Sequence, residues 1–138
     1  MKYALWLSAL FSITTWAAPM TVNYADIDDK TTLTDMAQAI VKGLQTFVLV
    51  DENKMTLYTF DADQPNVSNC KGGCLSVWPP EHVPAGATVQ APFGTITGND
   101  GQQQLTLNGT PLYHFKSDAK PGDAFGEYGT WHVITVAP

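Results

Sequence analysis

The sequence predicts a mainly β protein: a small antiparallel β domain built from two related strand–loop repeats, with one short N-terminal helix. Three observations support this prediction. Short runs of β-branched and aromatic residues alternate with turn residues over most of the chain. A seven-residue pattern that begins at Leu57 returns at Leu112. Asn108 and Gly109, between two of the apolar runs, form the strongest hairpin signal in the chain.

Six short strands are expected after residue 46, each a β-branched or aromatic run bounded by turn residues. They are predicted at residues 47–50, 55–60, 93–97, 103–107, 110–115 and 131–136. The long segment between the second and third of these strands contains several prolines, which cannot donate to a strand ladder. We therefore expect an irregular connection there.

The segment before the strands, residues 18–45, is expected to hold a polar leader and the short helix. Thr34 can cap a helix, and Gly43 can end one. Apolar residues follow the cap at roughly helical spacing: Met36, Ala39, Ile40 and Val41. This spacing predicts a helix over residues 33–42.

The repeated pattern is L-Y-x-F-x-x-D. Its copies are Leu57, Tyr58, Phe60 and Asp63, and then Leu112, Tyr113, Phe115 and Asp118. In a strand the Tyr and Phe share one face and the Leu lies on the other, so each copy predicts a paired aromatic wall in the core. The Asp falls past the strand end, where it can accept N–H groups of the next loop. The pair indicates a duplication that divides the β domain, 46–138, into pseudo-repeats 46–92 and 93–138.

These motifs resemble the secreted-repeat family of bacterial envelope proteins, which a Y-x-(F/W/Y)-x-x-D motif describes and which includes many predicted lipoproteins. Further matching positions are Ser68, Asn69, Cys70, Gly72, Gly73, Cys74, Trp78, Pro79, Pro80, Asp100, Gly101, Pro111, Pro121, Gly122, Asp123, Gly126 and Trp131. The resemblance extends over about residues 47–136 and implies an envelope protein without an assigned biochemical function.

Residues 1–17 have the order of a secretory signal peptide, with Lys2, then a mostly apolar run, then small residues before a cut expected after Ala17. The apolar run is shorter than the roughly 20 residues that a transmembrane helix needs. No cysteine precedes Cys70, so we expect no lipid attachment and no membrane anchor. The expected product is a soluble periplasmic or secreted protein.

The charge of the chain bears on its partners. The formal net charge is −6, and all the basic side chains that contribute to it are lysines. Arginine is the usual residue for bidentate phosphate recognition, and positive charge drives binding to nucleic acid and to anionic membranes. An acidic chain without arginine is therefore not expected to bind nucleic acid.

Cys70 and Cys74 are predicted to form a structural disulfide in an oxidising compartment. Gly72 and Gly73 between them allow a tight loop to close. A redox-active pair is the alternative, but its usual signature is C-x-x-C at the start of a helix, one residue shorter than the spacing here.

No catalytic, cofactor or metal-binding residues are assigned from the sequence. The three histidines, His82, His114 and His132, do not show the convergent spacing of a metal site. Copper or zinc at His114 and His132 is one open alternative. Calcium in the acidic loop is another, and its ligands would be Asp118, Asp123 and Glu127.

The aromatics expected at the surface are those beside prolines or in glycine-rich loops. They define a candidate binding surface of Trp78, Pro79, Pro80, Phe125 and Tyr128. The leading hypothesis is a non-enzymatic exported module that binds an envelope protein or a small ligand, or that has a structural role. The alternative is a periplasmic redox or metal-binding accessory protein.

Overall fold

The computed structural model describes residues 19–138. It contains eight strands and two short helices, each with its own number in chain order. The strands are β1 (Met20–Asn23), β2 (Thr34–Val41), β3 (Leu44–Asp51), β4 (Tyr58–Phe60), β5 (Phe93–Thr97), β6 (Gln103–Leu107), β7 (Thr110–Pro111) and β8 (Trp131–Ala137). The helices are α1 (Tyr24–Ile27) and α2 (Gly73–Val77). The predicted mainly β class with short helices is confirmed.

The main sheet is organised around β8. Its strand order is β1-β8-β3-β2, and β4 also pairs with β8. The β2–β3, β3–β8 and β4–β8 pairs are antiparallel, whereas β1 runs parallel to β8. The C-terminal strand therefore joins elements from the start and the middle of the chain.

The second sheet has the order β5-β6-β7 and is antiparallel throughout. Leu107 pairs with Thr110 across the Asn108-Gly109 turn, whose two residues have φ values of 53° and 80°. Positive φ at both central positions is the requirement of a type I′ hairpin turn. The predicted hairpin is confirmed.

The helix predicted over residues 33–42 is wrong, because this segment is the edge strand β2. β-branched Thr34, Ile40 and Val41 favour a pleated strand that can pair along its whole length with β3. Lys42 and Gly43 have φ values of 50° and 84°, so Gly43 completes a two-residue hairpin turn where the sequence suggested a helix stop. Residues 18–45, predicted as a leader and a short helix, thus supply two strands of the main sheet, β1 and β2.

Strand alternation divides the core into two clusters. The aliphatic cluster contains Leu57 and Leu112. The aromatic cluster contains Tyr58 and Tyr113, one position further along each strand. All four side chains are fully buried. In each motif copy the Leu and the Tyr therefore lie on opposite faces, as strand periodicity requires.

The predicted signal peptide, residues 1–17, lies outside the described residues. Within residues 19–138, no helix is long and apolar enough to cross a membrane.

Candidate functional site

The two copies of the repeated motif meet at an antiparallel bridge between Tyr58 and Tyr113. The Tyr58 N–H donates to the Tyr113 carbonyl oxygen at 2.8 Å, and the Tyr113 N–H returns the bond at 3.0 Å. The side chains then cross between the copies. The Tyr58 hydroxyl donates to Asp118 Oδ2 at 2.5 Å, and the Tyr113 hydroxyl donates to Asp63 Oδ2 at 2.7 Å. Each tyrosine thus satisfies the aspartate of the other repeat.

The second oxygen of each motif aspartate holds the loop that follows it. Asp63 Oδ1 accepts the Asn69 N–H at 2.7 Å, and Asp118 Oδ1 accepts the Phe125 N–H at 2.9 Å. Burial raises the pKa of Asp63 to about 6, although its two hydrogen bonds oppose the rise. Burial likewise raises the pKa of Asp118. These carboxylates accept backbone donors, which is what their position past the strand ends suggested.

A stack of four rings lies next to these tyrosines and alternates between the two repeats. Trp78 and Trp131 are parallel at the centre, with ring centroids 3.8 Å apart. Phe60 stacks on Trp131 at 4.2 Å, and Phe115 stacks on Trp78 at 4.4 Å. The phenylalanine of each repeat therefore packs on the tryptophan of the other. Trp131 is among the positions that match the secreted-repeat family, but the sequence did not indicate its stacking on Trp78. It lies 13 residues after Asp118, much as Trp78 lies 15 residues after Asp63.

The candidate binding surface is only partly exposed. Trp78 is 5% exposed, Pro79 is half-buried and Pro80 is buried. The prediction that Trp78 and Pro80 lie at the surface is therefore wrong. The reason is the ring stack, which uses both faces of Trp78. Phe125 and Tyr128 are exposed by 62% and 51%.

Cys70 and Cys74 form a disulfide at the start of α2. Cys70 is fully buried in the aromatic cluster, and Cys74 is half-buried beside it. Asn99 Nδ2 donates to the Cys70 carbonyl oxygen at 3.0 Å, which ties this loop to the turn before β6. The disulfide therefore holds a segment that packs directly on Trp78.

A three-residue cluster that the sequence did not indicate lies beside the second motif. His114 Nε2 is 2.9 Å from Asp51 Oδ2 and 3.6 Å from Glu81 Oε1. One ligand atom from each residue lies within 4.8 Å of the others, a spacing compatible with a shared metal ion. The residues come from the end of β3, from the loop after Pro80 and from the variable position of the motif. Their only sequence signal is that the variable position is Thr59 in one copy and His114 in the other.

The electrostatics of this cluster follow from burial. Asp51 and Glu81 are each 5% exposed. Burial raises the pKa of Glu81 to about 8, with the Asp51 charge adding to the rise and the His114 charge opposing it. Burial alone would lower the pKa of His114, but the hydrogen bond to Asp51 and the Glu81 charge raise it overall. The cluster thus brings a partly exposed histidine close to two buried carboxyl groups, one of which has a strongly raised pKa.

His132 lies in a different cluster. Its Nδ1 is 2.9 Å from Glu127 Oε2, and its Nε2 is 2.9 Å from Asp61 Oδ1. Burial alone would lower the pKa of His132, but these two carboxylates outweigh burial and raise it. Each ring nitrogen has a carboxylate partner, so His132 links the loop after β4 to the loop before β8. We call this pair of contacts the His132 clamp. The structure does not bring His114 and His132 into one site.

The acidic loop residues considered for calcium are also held apart. Asp118 is bound by Tyr58, Asp123 accepts Lys120 Nζ at 2.8 Å, and Glu127 is bound by His132. Each carboxylate has its own partner within the described chain.

An open apolar cavity of about 430 Å³ lies where the edge strand β2 meets the loop before β8. Ile40 and Phe125 line it together with Lys120, Pro121, Gly122 and Asp123. The Ile40 N–H donates to the Gly122 carbonyl oxygen at 3.1 Å, so the loop partly covers the strand edge. Ile40 nevertheless stays 50% exposed.

The comparisons with known proteins agree with the internal duplication. A family model described as a secreted repeat of unknown function matches residues 47–81 and 94–135. Each matched segment contains one copy of the L-Y-x-F-x-x-D pattern. No curated protein and no solved structure matches the chain significantly. The two matches cover more than half of the chain, which therefore belongs to the exported family of secreted repeats of unknown function.

Proposed function

We propose that this exported protein is a non-enzymatic envelope module that binds a partner protein in the periplasm or outside the cell. Its docking surface is the apolar surface formed by Phe125 and Ile40. The observation that carries this proposal is the exposure of these two large apolar side chains around one open cavity.

The use of the motif residues within the fold supports a binding or structural role over catalysis. Tyr58 and Asp118, and likewise Tyr113 and Asp63, satisfy each other in the interior. Groups whose hydrogen bonds are committed in this way are poorly available to a substrate. The surface outside the motif is thus the better place to seek a function.

A protein partner fits this surface better than a small charged ligand. The two charged side chains at the cavity, Lys120 and Asp123, form an ion pair with each other. Their mutual neutralisation leaves an apolar floor with little net charge. Exposed aromatic and aliphatic side chains of this kind act as anchors in protein interfaces.

The redox alternative is less well supported. Thiol–disulfide exchange begins with attack on an accessible sulfur atom. Cys70 is fully buried within the aromatic cluster, and Cys74 is half-buried and packs against it. This arrangement favours a structural disulfide.

Site-specific photocrosslinking in the native envelope tests the proposal. A photoreactive side chain at position 125 should yield one discrete crosslinked protein. The additional substitution Ile40→Ser should reduce that product at least about tenfold, because losing a central anchor typically costs 2 kcal/mol or more of binding energy.

Position 67 supplies the matched control. Val67 is 45% exposed but does not line the cavity, so the same probe there should give no Ile40-dependent product. Equal crosslinking at positions 125 and 67, or a product at position 125 that Ile40→Ser leaves unchanged, would refute this docking surface.

A further inference from the structure

We propose that Asp51, Glu81 and His114 form a binding site for one divalent transition-metal ion, with Zn²⁺ as the best match. The proposal is independent of the docking surface, since none of the three residues lines the cavity at Phe125. It rests on the geometry of the ligand atoms, on an unsatisfied buried oxygen and on the hydrogen bonds that hold Asp51 and Glu81.

The ligand atoms are spaced nearly as a single zinc ion requires. A tetrahedral Zn²⁺ with bonds of about 2.0–2.2 Å holds its ligand atoms about 3.3–3.6 Å apart. His114 Nε2 lies 2.9 Å from Asp51 Oδ2 and 3.6 Å from Glu81 Oε1. All three ligand atoms lie within 4.8 Å of one another, so movements of about 1 Å or less place them around one ion.

The Glu81 carboxyl group also favours a bound cation. Its Oε2 atom is buried and has no hydrogen-bond partner among residues 19–138. The residue is only 5% exposed, so water cannot readily compensate for the missing partner. A buried carboxylate oxygen without a donor is costly unless a cation compensates it. A metal ion bound beside His114 supplies that compensation.

Hydrogen bonds to the backbone hold Glu81 and Asp51 in place. The Glu81 N–H donates to the Leu112 carbonyl oxygen at 2.9 Å, and its own carbonyl accepts the Leu105 N–H at 2.9 Å. Asp51 Oδ1 accepts the N–H groups of Asn53 and Met55 at 2.8 and 2.9 Å. These bonds leave Oδ2 for the cluster, as supporting hydrogen bonds do around known metal ligands.

The chemistry of the donors selects the class of ion. One imidazole nitrogen and two carboxylate oxygens suit Zn²⁺ and similar divalent transition metals. Ca²⁺ and Mg²⁺ prefer oxygen ligands throughout, so His114 disfavours them. Two carboxylates also match the charge of a divalent ion.

The site is reachable at one side. The His114 side chain is 25% exposed, whereas the carboxylate side chains are each 7% exposed. An ion can therefore enter past His114 and keep a fourth position for water, which is the ligand count of an open zinc site.

Equilibrium dialysis of the full chain against Zn²⁺ alone, after removal of bound metal with a chelator, tests the proposal. We expect one Zn²⁺ per chain. Glu81→Gln and His114→Ala should each weaken the Zn²⁺ affinity at least about tenfold. The reason is that removing a ligand lowers metal affinity more than removing a supporting contact, which itself typically lowers it about tenfold or more. An excess of Ca²⁺ should not displace the Zn²⁺.

Glu81→Gln keeps the experiment independent of folding, because the amide preserves the shape of the side chain and cannot ionise in the buried site. Its melting temperature without metal should equal or exceed that of the unsubstituted chain, while the rise in melting temperature on adding Zn²⁺ should disappear. His132→Gln is the matched control and should retain the Zn²⁺ affinity within about twofold. The site is refuted if the chain binds no Zn²⁺, if Glu81→Gln binds it unchanged, if Ca²⁺ displaces it, or if His132→Gln weakens it as much as His114→Ala.

Discussion

Tyr58 and Tyr113 show how single polar atoms join the two repeats. Each phenol hydroxyl donates to a carboxylate contributed by the other half of the chain. Burial and the adjacent aspartate raise the pKa of both tyrosines, so the hydroxyls remain protonated donors. Removing such a hydroxyl leaves a buried carboxylate short of one donor, which costs more than the net value of an ordinary hydrogen bond.

The first prediction concerns these hydroxyls. Tyr58→Phe and Tyr113→Phe should each lower the free energy of unfolding by about 1–3 kcal/mol, because each keeps the ring and removes the hydroxyl that donates to the aspartate. The Tyr58 hydroxyl also accepts the Gly126 N–H at 3.1 Å, and the Tyr113 hydroxyl lies 2.6 Å from Ser68 Oγ, so these contacts are lost as well. Urea denaturation monitored by circular dichroism measures the loss. Tyr128→Phe, at a tyrosine that is 51% exposed, should change stability by less than about 0.5 kcal/mol. A Tyr113→Phe variant as stable as the Tyr128→Phe variant would contradict the structural role of the bond.

The second prediction concerns the pH dependence that His132 confers. The carboxylates of Asp61 and Glu127 outweigh burial and raise its pKa in the folded state. The folded chain then binds the proton more tightly than the unfolded chain, so the stabilisation is complete below the unfolded value of about 6.5 and is lost as the pH rises through the folded-state pKa. His132→Gln should cost on the order of 1–2 kcal/mol at pH 5.5 and progressively less toward pH 9.

Urea titrations of the unsubstituted chain and of His132→Gln across this pH range measure the difference. The contribution of His114 to the pH dependence cancels because both chains contain it. His82→Gln is the control, since the His82–Asp100 pair is more exposed and should contribute about 0–1 kcal/mol. A His132 contribution that grew with pH would contradict the clamp.

At the scale of elements, β2 and the Asn108-Gly109 hairpin show what local sequence can predict. Asn and Gly tolerate the positive φ that a type I′ turn requires at both central positions, so the hairpin could be assigned from two residues. Lys42-Gly43 adopts the same kind of turn, but the apolar spacing before it also fits a helix. The pairing of β2 with β3 selects the strand over the helix. A short stretch of sequence does not reveal that pairing.

The candidate site illustrates the same limit. The motif aspartates could be placed at loop starts because their role is local. Asp51, Glu81 and His114 could not be grouped, since each lies about 30 residues from the next and only the packing of β3 against the second motif brings them together. Trp78 was expected at the surface because Pro79 and Pro80 follow it. It is buried instead because it stacks on Trp131, which is distant in the sequence.

The third prediction concerns the ring stack. Phe60→Ala and Phe115→Ala remove equivalent outer rings, so they should destabilise the chain by similar amounts. Both phenylalanines are half-buried, and we expect about 2–4 kcal/mol for each, somewhat below the range for a fully buried ring. Thermal melts and urea titrations measure the loss. Phe125→Ala, at an exposed ring, is the control; if the two stack variants melt within a degree or two of the unsubstituted chain, the stack does not stabilise the fold.

At the scale of the whole molecule, the two repeats are interlocked and do not form separate lobes. β8, from the second repeat, pairs with β1, β3 and β4. The central tryptophans come from different repeats and stack on each other. The main sheet and the aromatic cluster each contain residues from both repeats, whereas the β5-β6-β7 sheet lies within the second repeat alone. Partial unfolding of one half would therefore expose buried surface of the other.

The fourth prediction follows from this interlocking: the protein should unfold in a single cooperative transition. In a chain with Trp6→Phe and Trp16→Phe, tryptophan fluorescence reports on Trp78 and Trp131, and thus on the contact between the repeats. Far-ultraviolet circular dichroism reports on both sheets. The two signals should give the same urea midpoint and the same slope, because the contact between the repeats and the sheets are lost together. A fluorescence transition that clearly preceded the loss of the sheets would mean that the repeats separate before they unfold, and that the exchanged Tyr–Asp bonds do not bind the halves into one folding unit.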